Sequence, residues 1–543
     1  MQSIKSPQLD LKQLPFGRRL SRHMVYEETD SGGKGWAKGL YLAIATETVA
    51  MFGMGSFGPK GFLRIVPLFE GNALDYTYEA GVGSVLIKTA KGDIKIALDG
   101  SKNLRIAGKG IGLRFDGRVS FGENVYQKSH GIEFLKGGGI YLIKALKGEM
   151  KLDSHWDLKA LHATDPIIDI TPDNNAEFEL AMCDTNIALE LEPLAASIDD
   201  AANASEKDFM TFSEGLNSIS GKYSDFLSIA AYAYWIGLYE NGLASANKMN
   251  DQRYYSLQVP ALALPLTDPD EAADIILKQL SYASPMGLVP VSFDNKSGLT
   301  EAVPPVYAFA VNKMLADGGI KTLPADKLSD LYAKMSKTIG WWFKKRTTAE
   351  GLSFYAFRHE SGWMKYASFA CDTPAATADL AAFLVLACKS LSVMASALGK
   401  PGEASDWELK AQSQLSNITD KLWNNDGFIN INITTGTSCS AGEIQSLFPL
   451  LLGKLLPKAI TDVLVKKAGA ADFSSLSIIP AVLIILGLSA MDKGAAEKAA
   501  EKLIKSCISG GANDERGKYL DAGTYFNHNA SAALLVVGGS ISM

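Results

Sequence analysis

At 543 residues the chain exceeds what one ordinary core supports, so two domains are expected. With 47 % hydrophobic and 21 % charged residues it is neither disordered nor membrane-like, and a net charge of −6 without a Lys/Arg-rich run excludes the attraction that nucleic-acid binding needs. Its five cysteines form no Cys-x-x-Cys pair and its six histidines are scattered. Reduced thiols and no metal site are therefore expected, and with neither a Walker loop nor a strand-borne Gly-x-Gly-x-x-G no cofactor is expected.

Met1 to Arg22 lacks an apolar stretch with a small-residue cleavage site, which points to a cytoplasmic protein. Up to residue 205, short β-prone runs alternate with glycine turns: Gly81-Val-Gly-Ser-Val-Leu-Ile-Lys, Asp93-Ile-Lys-Ile-Ala-Leu-Asp-Gly and Gly139-Ile-Tyr-Leu-Ile-Lys-Ala-Leu. That spacing predicts a β-sandwich domain over 1–205. Gly108-Lys-Gly-Ile-Gly-Leu is read as a hairpin turn, because a phosphate loop needs a helix N-terminus behind it and no amphipathic pattern follows.

The polar stretch Ala195 to Lys207 marks the change of pattern, and 206–543 is expected to be a helical domain. Apolar residues at three- and four-residue spacing predict helices over 222–242, 253–266, 269–284, 303–316, 325–346, 373–398, 402–423, 440–453, 457–468, 475–490, 493–509 and 526–536. Twelve helices make six hairpins. The run from Leu476 to Met491 is apolar all round yet shorter than a bilayer span and broken by Pro480 and Gly487, whereas 493–509 has a charged face. Such alternation suits an inner ring of buried helices inside a solvated outer ring, an (α/α)6 toroid, with an α-solenoid as the alternative.

Several motifs of the helical half carry a resemblance. In order along the chain they are Asp268-Pro-Asp-Glu-Ala-Ala with Gly287-Leu-Val-Pro, Pro304-Pro-Val-Tyr-Ala-Phe-Ala-Val, Trp341-Trp-Phe-Lys-Lys-Arg with Gly351-Leu, His359-Glu-Ser-Gly-Trp with Asp379-Leu-Ala-Ala-Phe-Leu, and Asp514-Glu-Arg-Gly with Asp521-Ala-Gly-Thr-Tyr-Phe-Asn-His. Together they resemble the six-hairpin glycosidases, in particular glycoside hydrolase families 63 and 37, the processing glucosidase and trehalase relatives. The resemblance implies a glycosidase acting on a small neutral saccharide, α-linked and gluco-configured, while the charge balance and the short apolar runs leave neither nucleic acid nor membrane as an expected partner.

An inverting glycosidase needs one carboxyl group to protonate the leaving oxygen and another to activate water, ~6.5–9.5 Å apart. The resemblance puts the base at Glu515, or else at Asp514, and the acid at Met364, which has no proton to give. Glu360 and Asp372 are the nearby substitutes, if burial beside Trp363 or Phe369 keeps one of them protonated. Val303 and Thr347 also depart from the family's Gln and Asp. Trp363, after a glycine on a predicted loop, is the candidate stacking platform for a sugar face. Trp341 and Trp342 are expected in the core.

His359 and His528 fall on loops that the resemblance brings to one mouth, and with Tyr355 they open a second chemistry, proton exchange at carbon in an isomerase, epimerase or lyase. A catalytically silent sugar-binding member is the third reading. Oligomeric state is not legible in the sequence.

Overall fold

The computed structural model describes residues 5–12, 14–28, 37–44, 63–119, 121–136, 139–185, 191–216, 223–238, 254–255, 262–293, 301–363, 369–508 and 533–538. Period-two patterning shapes the first part. In Ser84–Thr89 the side chains of Val85 and Ile87 turn inward while Ser84, Leu86 and Lys88 keep some solvent. Two antiparallel sheets result. One runs in spatial order His23–Glu28, Gly39–Ile44, Leu63–Phe69, Gly112–Gly117, Ile167–Thr171 and Glu149–Asp153, with Asn72–Ala73 folded back on Leu63–Phe69. The other runs Asn124–Lys128, Gly131–Lys136, Gly139–Lys147, Glu177–Thr185, Asn103–Lys109, Asp93–Asp99, Ser84–Thr89 and Tyr76–Ala80.

The glycine-rich turn at 108–112 differs from the hairpin expected of it. Asn103–Lys109 belongs to the second sheet and Gly112–Gly117 to the first, so the turn carries the chain between sheets instead of pairing its flanks. Gly110, at φ +80°, makes that bend, and its amide donates to Ala176 O.

Helix Ile198–Glu214 starts inside the polar stretch, capped by the Ser197 hydroxyl, which accepts from the Asp200 amide at 3.1 Å. It runs through residue 205 and lays Ala201 and Ala202 on Ala97. The buried Arg105 guanidinium fastens its approach to the sheet: it pairs with Asp99 and Glu179 and donates to Ala195 O at 2.7 Å.

Beyond it the chain is helical, in two kinds of segment. Ala378–Ala397 and Ile478–Ser489 are buried almost all round, whereas Pro401–Ser416 and Lys493–Ile508 bury one face, with Lys493, Lys498, Lys502 and Lys505 exposed. Ala378–Ala397 is long and apolar enough to cross a membrane by length and composition. Its burial against Tyr307–Met314, Ala325–Lys345 and Pro401–Ser416 is that of a core helix. Gly487 permits close approach here, since a Cβ on it would sit 2.8 Å from Leu450 Cβ and 2.9 Å from Leu450 C.

Some helix limits move. Tyr254–Tyr255, expected in a helix, pairs as a strand with Ser292–Phe293. Residues 375–376 pair with Ile429–Asn432, so the helix expected from 373 begins at Ala378. Gln445–Leu455 is a 3-10 helix, not an α-helix, because Pro449 in its interior has no N–H for the α ladder. In the terminal segment expected to be helical, 533–538 is helical, and the rest of it lies outside the described residues.

Candidate functional site

Helix Ala325–Lys345 ends at Arg346, whose side chain reaches over the Trp341 ring at 5.0 Å and then to Glu360. The pair is bidentate: Nη2 donates to Glu360 Oε1 at 2.6 Å and Nε lies 3.2 Å from both oxygens. Glu360 is 1 % exposed, and its Oε2 also accepts from the Ala356 amide at 2.7 Å. Both oxygens are thus taken by donors. Glu360 pins the short turn Arg358–Ser361 to the helix end, which is a different task from delivering a proton.

That turn closes with Gly362 in the left-handed region at φ +68°, and Trp363 follows, buried to 4 %. The Ser361 hydroxyl holds the Trp363 amide at 3.2 Å. One face of the indole lies against Phe448, ring centres 4.7 Å apart and tilted 33°, and Phe448 meets Phe383 in turn. The buried Trp363 Nε1 has no hydrogen-bond partner among the described residues. An unpaired buried donor is costly unless a ligand or another segment meets it.

Beneath the loop lies a polar cluster around Asp379 that joins Tyr355 to Gln445 and Asn430. The Asp379 carboxyl, fully buried, accepts from Tyr355 Oη on Oδ2 and from Gln445 Nε2 on Oδ1, each at 3.0 Å. Gln445 Oε1 accepts from Asn430 Nδ2 at 3.2 Å and from the Gly442 amide at 3.3 Å. The readable signal was an acid opening the otherwise apolar helix 378–397. Burial raises the Tyr355 hydroxyl well above its usual range, with the Asp379 charge adding to it. Tyr355 is 0 % exposed and committed to Asp379, so it has no route to a sugar carbon.

Burial likewise raises the Asp379 carboxyl above its ordinary 3.8, although Thr377, Tyr355 and Gln445 pull it back. The sign follows from proton counting. Above 3.8 the unfolded chain has lost this proton while the folded one still holds it, so the contribution to stability is greatest at low pH and declines as pH rises toward the raised value. Urea unfolding of D379N at stepped pH should lose that decline, and an unaltered pH slope would contradict the assignment.

The remaining candidates fall nearby. Asp372 is not buried beside Phe369: its side chain is 74 % exposed, Oδ1 accepts from the Thr373 amide at 2.8 Å, and Arg358 Nη2 stands 3.5 Å away. His359 is exposed, with Nδ1 3.8 Å from Glu301 Oε1. Trp341 and Trp342 are core residues, packed edge to face at 5.2 Å. Glu360, Trp363, His359, Tyr355 and Asp372 therefore gather around one loop, while Met364, Asp514, Glu515 and His528 lie outside the described residues.

Residues 261–480 match the sequence profile of the mannosylglycerate hydrolase MGH1-like glycoside hydrolase domain, a span that contains this loop and the cluster beneath it. No curated protein matches the chain. Among solved structures, a bacterial glucoamylase complexed with acarbose superimposes with a TM-score of 0.59 at 12 % identity, over 99 % of this chain and 94 % of that one. A family GH92 α-mannosidase from Bacteroides thetaiotaomicron in complex with mannoimidazole gives 0.54 at 10 % identity, over 97 % and 82 %. The matched domain, and the order of a β-sheet region before a helical one that the chain shares with these two glycosidases, support the resemblance to the six-hairpin glycosidases.

Proposed function

We propose that the chain is a glycoside hydrolase that cleaves a small saccharide with inversion, Glu515 serving as base and a relocated group, in place of Met364, serving as acid. In this reading the helices close as an (α/α)6 ring behind a β-sandwich, with the boundary near 205, and the loops bearing Trp363 and Glu515 meet at one mouth. Trp363 carries the reading. It sits on a loop pinned by Arg346 and Glu360, inside the matched glycoside hydrolase domain, with a buried indole N–H that no described residue uses. A sugar hydroxyl is a suitable acceptor for that donor.

The substrate is expected to be α-linked, and the configuration at the second sugar carbon distinguishes two candidates. The motifs favour a gluco-configured sugar, whereas the matched domain is described for mannosylglycerate hydrolase. Both structural neighbours were solved with small ligands, acarbose and mannoimidazole. A panel of α-glucosides and α-mannosides, mannosylglycerate included, followed by proton NMR should show a reducing sugar released as the inverted anomer. Retained configuration would sink the two-carboxylate inverting scheme.

A second reading has its own observation. Met364 offers no proton, and Glu360 is saturated by Arg346 and Ala356. A silent sugar-binding member follows if calorimetry on the same panel finds tight binding while no glycoside is turned over.

A further inference from the structure

Cys371 and Cys439 lie 68 residues apart in sequence, with their sulfur atoms 2.9 Å from each other. Neither is buried, in contrast to Cys183, Cys388 and Cys507. The backbone on both sides is fixed. Cys439 sits in strand Ser438–Ser440 directly opposite Asn430 of strand Ile429–Asn432. On the other side, Cys371 O accepts from Asn432 Nδ2 at 3.0 Å and Pro374 O accepts from the Ile433 amide at 3.0 Å, so the segment around Cys371 is docked on the same strand. The Cys439 thiol donates to Cys371 Sγ, and Cys371 donates to Asn430 O at 3.5 Å. A formed disulfide has its sulfurs about 2.05 Å apart, so closure needs a shift of about 1 Å in side chains whose main chains are already in place.

We propose that Cys371 and Cys439 are a redox site: a dithiol that closes to a disulfide by exchange with a small-molecule disulfide of the oxidised-glutathione type. One cysteine thiolate attacks a glutathione sulfur, releasing one glutathione and leaving a mixed disulfide. The second thiolate then attacks the protein sulfur of that mixed disulfide and expels the other glutathione. One S–S bond forms and one breaks, two electrons pass from the protein to glutathione, and the two thiol protons end on the two released glutathione thiols. Burial and the neighbouring Cys439 thiol push Cys371 up to about 11, so exchange quickens toward alkaline pH.

The bond would join two edges of the candidate site. Cys371 lies on the stretch returning from the Trp363 loop, where Phe369 packs edge to face on Tyr355 at 6.4 Å. Cys439 lies on the outer strand of the four-stranded sheet that also contains Phe354–Tyr355. Oxidation therefore fixes this wall, and reduction releases it.

The full chain, incubated with oxidised glutathione at mildly alkaline pH, is the protein to test. Digestion must cut before Asp379, which separates Cys371 from Cys388. Peptide mass spectrometry is expected to find Cys371 linked to Cys439 with two hydrogens lost, and Tm should rise by about 3 °C or more, because a cross-link over so long a loop restricts the unfolded chain. Dithiothreitol should reverse both changes, and C371S and C439S should each abolish them. Glutathione left as an adduct on either residue without a cross-link, or pairing with Cys183, Cys388 or Cys507, overturns the proposal. So does a linked product whose Tm equals that of the reduced protein.

Discussion

Replacing Arg346 by methionine should cost about 3–5 kcal/mol of folding stability, toward the lower end because a fifth of the Arg346 side chain meets solvent. The loss comes from the partner left behind. Glu360 has 2 % of its side chain exposed, and without the guanidinium its carboxylate keeps one amide bond in a place from which water is excluded. R346M/E360Q should recover most of the loss, since a neutral amide still accepts from Ala356 and leaves no unpaired charge. Urea denaturation of the two singles and the double closes the cycle. A loss of about 0.5 kcal/mol in R346M, as for an exposed pair, would show that Glu360 is not held in this way.

The largest kinetic effect is expected at Glu515. If its carboxylate activates the attacking water, E515Q should lower kcat by about 10²- to 10⁴-fold with little change in KM, because the amide preserves shape and loses basicity. Tm should stay within about 1 °C of the wild type, as for other exchanges that leave packing alone. Full activity in E515Q would remove the base assignment.

Much of the fold follows from periodicity. Val85 and Ile87 announce a strand by alternation, and the apolar run from Ile478 to Leu488 announces a helix covered on every side. The 108–112 turn misleads because glycine permits a bend without stating where the chain goes next; the pairing that decides it comes from strands far along the sequence. Pro449 likewise shows that an apolar spacing of three and four says helix without saying which ladder.

The site was legible as a loop, less so as a network. His359-Glu-Ser-Gly-Trp drew notice to Glu360 and Trp363, yet its partner Arg346 comes from another element, and a bidentate ion pair leaves no mark in the spacing of residues. Asp379 stands in a recognisable motif, but only its burial between Tyr355 and Gln445 shows that its carboxyl is structural. The approach of Cys371 to Cys439 spans a separation that no pattern in the chain encodes.

The opening residues are sewn into the middle of the molecule. The Gly17 amide donates to Tyr232 Oη at 2.8 Å, Arg18 and Arg19 both hold Asp208, and the Leu20 amide donates to Leu238 O at 2.6 Å. Severing the polypeptide near residue 205 would therefore strip helix Ser224–Gly237 of its lining and leave a phenol and a carboxylate facing vacant space. For this protein the place where sequence character changes and the place where it could be cut without injury are different questions.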